Sequence, residues 1–252
     1  MFNHHFTPDH TLRFGVNRSL RTNSLLEFAG DIRYDLSAYG RPPLRYWAGN
    51  PDIRPERLDS REISYLGQFR PLHLTLDVRV FDEGLSDGIS YFEPSKASQA
   101  QGAAKRVFGN LLDFTTRGVE YQLGWEPRPG SRLRWQQSFT QLDWADPQRN
   151  RVPQHEPPAR ASTLTWFQQL PQGLELALMM HERTQMSWDQ SIDDRMLPPA
   201  SRVDLRLARL WRTDGRKTEL ALMVQALNGD QFESRQYFQF RRRAFLTLKL
   251  EH

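Results

Sequence analysis

The feature that most constrains this chain is strict alternation between apolar and polar residues, repeated along its length. Leu72, Leu74, Leu76, Val78 and Val80 alternate with His73, Thr75, Asp77 and Arg79. Val119, Tyr121, Leu123 and Trp125 alternate with Glu120, Gln122 and Gly124, and Val203, Leu205 and Leu207 with Asp204, Arg206 and Ala208. Leu220, Leu222 and Val224, and later Leu246, Leu248 and Leu250, do the same. Successive strand residues point to opposite faces, so each segment presents one apolar and one polar face. The pattern predicts about eleven strands, at roughly 1–6, 11–18, 61–70, 72–82, 115–126, 132–144, 160–169, 174–186, 201–212, 217–228 and 237–252. Several exceed the ~5–6 residues usual in globular sheets and reach the ~9–11 that a tilted strand needs to cross a bilayer.

No stretch approaches the ~18 consecutive apolar residues of a membrane helix. The mean hydropathy of −0.69 would suit a water-soluble protein, but a transmembrane barrel also averages out its two faces. With Lys and Arg at 34 against 30 Asp and Glu, the charges are mixed and no basic stripe points to nucleic acid. The absence of cysteine excludes disulfides and thiolate metal sites. Seven Trp suit the aromatic girdles of a barrel.

Loop length is segregated. Short turns carry Pro or Gly, at Thr7-Pro8-Asp9-His10, Arg70-Pro71, Pro127-Arg128-Pro129-Gly130, Pro171-Gln172-Gly173 and Thr213-Asp214-Gly215. Between them lie longer polar links, the longest at 19–60 and 83–114. Outer-membrane barrels have short periplasmic turns and long extracellular loops, and in that orientation the last strand ends in the periplasm. Eleven antiparallel strands cannot close on themselves, and an open edge in lipid leaves backbone groups unpaired at several kcal/mol each. The expectation is therefore a portion of a larger barrel. Met1-Phe2-Asn3-His4-His5-Phe6 also lacks a basic region followed by an apolar one, which agrees with further chain upstream.

Two segments carry a family resemblance. Thr11-Leu12-Arg13-Phe14-Gly15-Val16-Asn17-Arg18-Ser19-Leu20-Arg21-Thr22 is followed by a loop containing Gly49-Asn50-Pro51-Asp52-Ile53-Arg54-Pro55-Glu56. The second resembles the N-P-x-L-x-P-E segment of TonB-dependent receptor barrels, with Ile53 in the Leu position. The first resembles the strand that precedes that loop, although Asn23 stands where many members carry Pro. Pro51 and Pro55 fix φ and extend the residues before them, and Asn50 can start a turn through its side chain. Asn50, Pro51, Ile53, Pro55 and Glu56 are thus assigned to scaffolding. Ala244, Leu246, Leu248 and Leu250 precede the terminal His252 at spacing two, similar to the C-terminal strand of outer-membrane barrels, with His in place of the usual aromatic.

The resemblance implies an all-β, antiparallel up-and-down transmembrane β-barrel, residues 1–252 forming about eleven of roughly twenty-two strands, without the plug domain. It implies the Gram-negative outer membrane, with lipid and lipopolysaccharide as neighbours. The implied function is energy-dependent uptake of a scarce nutrient, such as a ferric siderophore or similar chelate, with TonB acting through the missing plug portion. A plugless channel or structural barrel fragment is the alternative, and a soluble all-β binding protein a third class.

No enzyme, cofactor or metal site is expected. Adjacent His4 and His5 point to opposite faces, His10 has no carboxylate at ligand spacing, and His155-Glu156 sits in a proline-rich link. Asp193-Asp194 and Glu182 lack positioned partners, and no G-x-S-x-G or phosphate loop occurs. In Arg241-Arg242-Arg243 the flanking pair should face the lumen and Arg242 the outside, at headgroup depth. The best ligand candidates lie in the loop 31–48, namely Arg33, Tyr34, Tyr39, Arg41, Arg45, Tyr46 and Trp47. Guanidinium groups bind anionic oxygens bidentately, and aromatic rings stack on planar chelating groups. The register predicts Val78, Leu123, Leu205 and Leu222 toward lipid, and Asp77, Glu120, Asp204 and Glu219 toward the lumen.

Overall fold

The computed structural model describes residues 1–145, 156–187, 197–213, 216–232 and 239–251. In chain order the strands are β1 (Phe2–Thr7), β2 (His10–Arg21), the short β3 (Asp31–Tyr34) and β4 (Leu44–Ala48), β5 (Glu56–Phe69), β6 (Leu74–Phe92), β7 (Arg106–Arg128), β8 (Ser131–Trp144), β9 (Arg160–Leu170), β10 (Leu174–Arg183), β11 (Ala200–Thr213), β12 (Arg216–Gln225), the two-residue β13 (Gln231–Phe232) and β14 (Gln239–Phe240), and β15 (Arg243–Glu251). One-turn helices α1 (Leu25–Ala29) and α2 (Lys96–Ala100) lie in the two longest links. The main path is β1-β2-β5-β6-β7-β8-β9-β10-β11-β12-β15, and its neighbours pair antiparallel throughout. It is an eleven-strand meander, as the alternation predicts. β1 and β15 run in the same direction, so no antiparallel ladder can join them, and the sheet is open.

Register decides the two faces. Leu76 pairs Leu123, which pairs Trp135, then Leu164, Met180 and Val203 in turn. Such rows put Val78, Leu123, Leu205 and Leu222 on one face, hereafter outward, and Asp77, Glu120, Asp204 and Glu219 on the other. Some polar residues in the outward rows are satisfied by neighbours on the same face. The Tyr121 hydroxyl donates to Gln137 Oε1 at 2.5 Å, and Trp135 Nε1 donates to Ser162 Oγ at 3.2 Å. The opposite face carries an ion-pair ladder. Arg79 meets Glu62 at 2.8 Å, Glu83 at 3.0 Å and Glu120 at 3.4 Å, and Arg206 meets Glu219 at 2.7 Å.

The sheet is one layer thick, so it has no conventional core. Its buried apolar residues include the small Ala48, Ala104, Ala208, Ala221 and Ala226, and among the described residues no large side chain is fully buried. Outward Val16, Leu246, Leu248 and Leu250 are 62–78% exposed. Contiguous exposed apolar surface of more than a few hundred Å² is uncommon on soluble monomers, and each such side chain would gain ~1.5–3 kcal/mol on leaving water.

Several boundaries differ from the pattern-based reading. β2 runs on to Arg21, β5 begins at Glu56 and β10 ends at Arg183, so the link predicted at 19–60 shrinks to 22–55. β6 and β7 run on to Phe92 and back to Arg106, through Gly84, Ser86, Asp87, Gly88, Asn110 and Asp113, where alternation is lost. Ladder hydrogen bonds do not require alternation, and bulges between Leu85 and Ile89 absorb the slip. The link predicted at 83–114 therefore shrinks to 93–105. At the turn after β5, Pro71 lies in a 3-10 turn (Arg70–Leu72) and His73 is left-handed with φ 49°, donating to the Arg70 carbonyl at 3.1 Å. β6 therefore starts at Leu74 rather than 72. β12 stops at Gln225 because Ala226 turns left-handed (φ 54°), its N–H held by Asp204 Oδ1 at 2.9 Å. The last strand begins at Arg243 rather than 237, so Arg242 is not a strand residue. Its guanidinium donates to the Leu227 carbonyl at 2.7 Å instead of facing headgroups. His155, Asp193, Asp194, the Asp214-Gly215 turn and His252 lie outside the described residues.

Candidate functional site: a stitched loop cluster

The link between β2 and β5 starts with a capping signal. Ser24 Oγ accepts from Glu27 N at 3.3 Å, and the Glu27 carboxylate accepts from Ser24 N at 2.7 Å, which closes a capping box over α1. Burial pushes the Glu27 carboxyl up, but hydrogen bonds from Arg21 and Ser24 outweigh it and hold the group below its usual range. After α1, β3 and β4 form a hairpin in which Ile32 pairs Trp47. Its tip is a 3-10 turn (Ser37–Tyr39) closed by Gly40 at φ 66°, a conformation that suits glycine.

This hairpin does not pair with its chain neighbours β2 and β5. β4 runs parallel to β7, with Trp47 opposite Arg106 and Ala48 opposite Val107. Val107 also pairs Phe92 of β6, so β4 occupies the edge of β7 opposite β6 and the link crosses the β6–β7 ribbon. The N-P-x-I-x-P-E segment makes the crossing. Asn50 Oδ1 accepts from Asp52 N at 3.0 Å, the side-chain-initiated turn expected of it. Ile53 is buried, and its carbonyl accepts from Asn23 Nδ2 at 2.7 Å. The Asn23 amide thus ties the loop down. Arg54 is clasped on both backbone groups by Asn110, N–H to Oδ1 at 2.8 Å and carbonyl to Nδ2 at 2.8 Å. Glu56 Oε1 accepts from Ile89 N at 2.6 Å, and its other oxygen pairs with Arg21. Pro51 and Pro55 are exposed and make the extended bends between these anchors.

The crossing creates an aromatic cluster. Trp47 stacks on Phe108 (4.8 Å between centroids, 18°) and meets Tyr91 edge-on at 5.0 Å. Tyr46 contacts Trp47 at 6.0 Å and Tyr34 at 5.2 Å. Arg106 lies over Tyr91 (4.6 Å), Trp47 (5.2 Å) and Tyr46 (5.3 Å), and Lys105 lies over Tyr46 at 5.3 Å. These rings attract cations through their faces. Of the seven candidate residues, Tyr34, Tyr46 and Trp47 join this cluster. Arg33 and Arg45 instead share Asp31, at 2.9 and 2.8 Å, and their guanidinium groups lower its carboxyl pKa to about 2. Tyr39, 80% exposed, and Arg41 stand near the tip, and among the described residues Arg41 forms no ion pair.

Sequence reasoning missed Tyr91, Lys105, Arg106 and Phe108, assigned to a link. Their aromatic and basic density matched that of 31–48 and was the available signal. The histidines are placed apart. His5 Nδ1 contacts Thr11 Oγ1 at 2.9 Å and His10 Nδ1 contacts the Tyr65 hydroxyl at 2.8 Å, and no metal-binding group of side chains occurs among the described residues.

A family model for the TonB dependent receptor-like β-barrel matches residues 2–226. No curated protein matches the chain. Among solved structures, the ferric-catecholate import receptor Fiu from K12 E. coli superposes with TM-score 0.67 at 13% identity, over 98% of this chain and 33% of that one. The FrpB iron transporter from Neisseria meningitidis gives 0.69 at 14%, over 98% and 37%. The copper transporter OprC gives 0.68 at 13%, over 98% and 37%. The chain therefore spans little more than a third of these proteins, and the likeness at such identity concerns the fold. With a family match across most of its length, the chain belongs to the TonB-dependent receptor β-barrel family.

Proposed function

We propose that residues 1–252 are the C-terminal portion of the barrel of a Gram-negative outer-membrane receptor, which takes up a ferric siderophore or similar chelate with energy delivered by TonB through a plug domain elsewhere in the protein. Family membership carries this reading. The one-layer sheet with an apolar outward face supports membrane placement, and the segregated loops support extracellular placement of the cluster around β3 and β4. The resemblance to iron and copper receptors makes a metal chelate the favoured substrate class.

The contacts support a division of labour within the cluster. Asn50, Pro51, Ile53, Pro55 and Glu56 hold the loop, and the Trp47 cluster packs it. Arg33 and Arg45 share the single carboxylate of Asp31, which holds both side chains against the hairpin. Arg41 and Tyr39, near the hairpin tip, are the ligand-facing groups: a guanidinium without an ion-pair partner among the described residues and an exposed phenol ring suit an anionic, aromatic chelate. A charge-assisted hydrogen bond contributes about 1.5–3 kcal/mol, and about 1.4 kcal/mol is tenfold in affinity.

The test uses the intact receptor in iron-starved cells. Uptake of a labelled ferric catecholate should require the receptor and an energised inner membrane, and Arg41→Ala should weaken equilibrium binding at least tenfold, with Arg45→Ala weaker in effect. Uptake that persists without inner-membrane energy would instead identify a passive channel, and unchanged affinity in Arg41→Ala would leave the loop a packing role.

A further inference from the structure

The outward face changes character sharply toward the long-loop end. One row reads Phe14, Ile63, Val80, Val119, Phe139. The next reads Val16, Arg61, Asp82, Arg117, Gln141, and the one after it Arg18, Asp59, Gly84, Thr115, Asp143. Arg57, one row further, is outward too, and Arg160 pairs with Phe139 on the same face. Five guanidinium groups from four strands thus gather against three carboxylates, those of Asp59, Asp82 and Asp143. Arg18 and Arg57 share Asp59, at 2.5 and 3.2 Å, and Arg117 takes Asp82 at 2.7 Å. Arg61 and Arg160 are exposed, and among the described residues neither guanidinium has a hydrogen-bond or ion-pair partner.

Directly below this tier lies an open apolar trough of about 710 Å³ lined by Phe14, Val16, Ile63, Val80, Val119 and Phe139, with Arg61, Arg117 and the Arg117-paired Asp82 on its rim. The short Val80 and Val119 between bulky Phe14 and Phe139 make the hollow. The height of the tier is set by the strand. From Arg117 to the outward Trp125 is eight residues, roughly 27 Å at ~3.4 Å per residue, or roughly 21 Å of height at a tilt of ~40°. That compares with an apolar band of about 25 Å between interfaces. If Trp125 marks the inner girdle, Arg117 stands just inside the outer interface, and its long side chain reaches the headgroups.

We infer that this surface is a binding site for the bisphosphorylated lipid A of lipopolysaccharide, its phosphates on Arg61, Arg160 and the rim arginines and an acyl chain along the Val80–Val119 trough. The inference rests on the membrane placement proposed above. Charge complementarity selects the occupant: two unpaired guanidinium groups, Arg61 on the rim of an apolar hollow and Arg160 beyond its Phe139 wall, match a headgroup with two separated phosphates over acyl chains. Arginine binds phosphate oxygens bidentately, and its weak hydration suits the headgroup layer.

The test is native mass spectrometry of the full-length receptor in detergent, titrated with purified bisphosphorylated lipid A. Wild type should bind it, the Arg61→Gln/Arg160→Gln double variant at least tenfold more weakly, and phosphatidylglycerol should not compete. Val80→Trp, which fills the trough and leaves every arginine in place, should also weaken binding. Arg209→Gln is the control, since Arg209 faces outward at the short-turn end over Trp211. Wild-type affinity in the double variant, an equal loss in Arg209→Gln, or equally tight phosphatidylglycerol would each overturn the site. Heat-modifiable migration and outer-membrane fractionation of the same preparations test membrane placement separately, so a receptor that passes both and shows no lipid A selectivity refutes the site alone.

Discussion

Replacing Asn110 by Ala tests how the long link between β2 and β5 is held. Its side chain makes three hydrogen bonds: it accepts from Arg54 N at 2.8 Å, and donates to the carbonyls of Arg54 at 2.8 Å and Asp87 at 2.6 Å. They join the N-P-x-I-x-P-E crossing to both strands of the β6–β7 ribbon. Each contributes about 0.5–1.5 kcal/mol net, and water can take over part of the work where the segment is exposed, so we expect a local loss of about 2 kcal/mol. At about 1.4 kcal/mol per decade this is roughly a thirtyfold rise in opening. The assay is amide hydrogen exchange on the full receptor, following peptides that cover 50–56 and 85–89. Both should exchange roughly thirtyfold faster in Asn110→Ala, while peptides from β9 and β10 stay unchanged. Arg54→Ala, which removes only the exposed ion pair with Asp87 (side chains 70% and 31% exposed), should have a small effect, as surface pairs contribute about 0–1 kcal/mol. Unchanged exchange in Asn110→Ala would show that the crossing is held by Ile53 packing and that the clasp is incidental.

Three further outcomes follow from the same contacts. Asp31 has its pKa depressed to about 2 by Arg33 and Arg45, so its stabilisation of the hairpin is present above the ordinary carboxylate pKa of about 3.9 and is lost as pH falls toward 2. Exchange protection of β3 should therefore hold at pH 5 and fade below pH 4, and fading already between pH 7 and 5 would assign the hairpin's stability elsewhere. Cysteines at Val78, Leu123, Leu205 and Leu222 should react with a lipid-phase label and those at Asp77 and Glu120 should not; the reverse pattern would mean a register shifted by one residue. Arg79→Met should lower the receptor's guanidinium midpoint by the equivalent of about 1–3 kcal/mol, because three partly exposed carboxylates of Glu62, Glu83 and Glu120 are left facing one another; no change would show the ladder to be solvated and energetically idle.

What could be read in the chain by itself was whatever depends on neighbours in sequence. Side-chain direction in a strand has a period of two, so Leu74, Leu76 and Val78 announce both a strand and its apolar face without knowledge of any partner. Turn chemistry is equally local, and Pro8, Pro71 and Gly173 marked the reversals. Ser24 and Glu27 spelled out a capping box that the alternation-based reading passed over. The eleven-strand count and the common face of Val78, Leu123, Leu205 and Leu222 needed only these signals and the rule that a meander pairs consecutive strands.

Tertiary structure decided the rest. Strand extension from Glu83 to Phe92 and from Arg106 to Phe114 depends on backbone ladders between residues that lack alternation, because outside an apolar medium both faces tolerate polar groups. The pairing of Trp47 with Arg106 joins segments 59 positions apart, and nothing local distinguishes that edge of β7 from any other. Arg33 and Arg45 looked free in the chain until the hairpin register brought both to Asp31. Arg18, Arg57, Arg61, Arg117 and Arg160 are scattered over four strands and become one tier only through the register that aligns them. Alternation is a property of a single strand, whereas charge neutralisation and surface clustering depend on which strands lie side by side and at what offset.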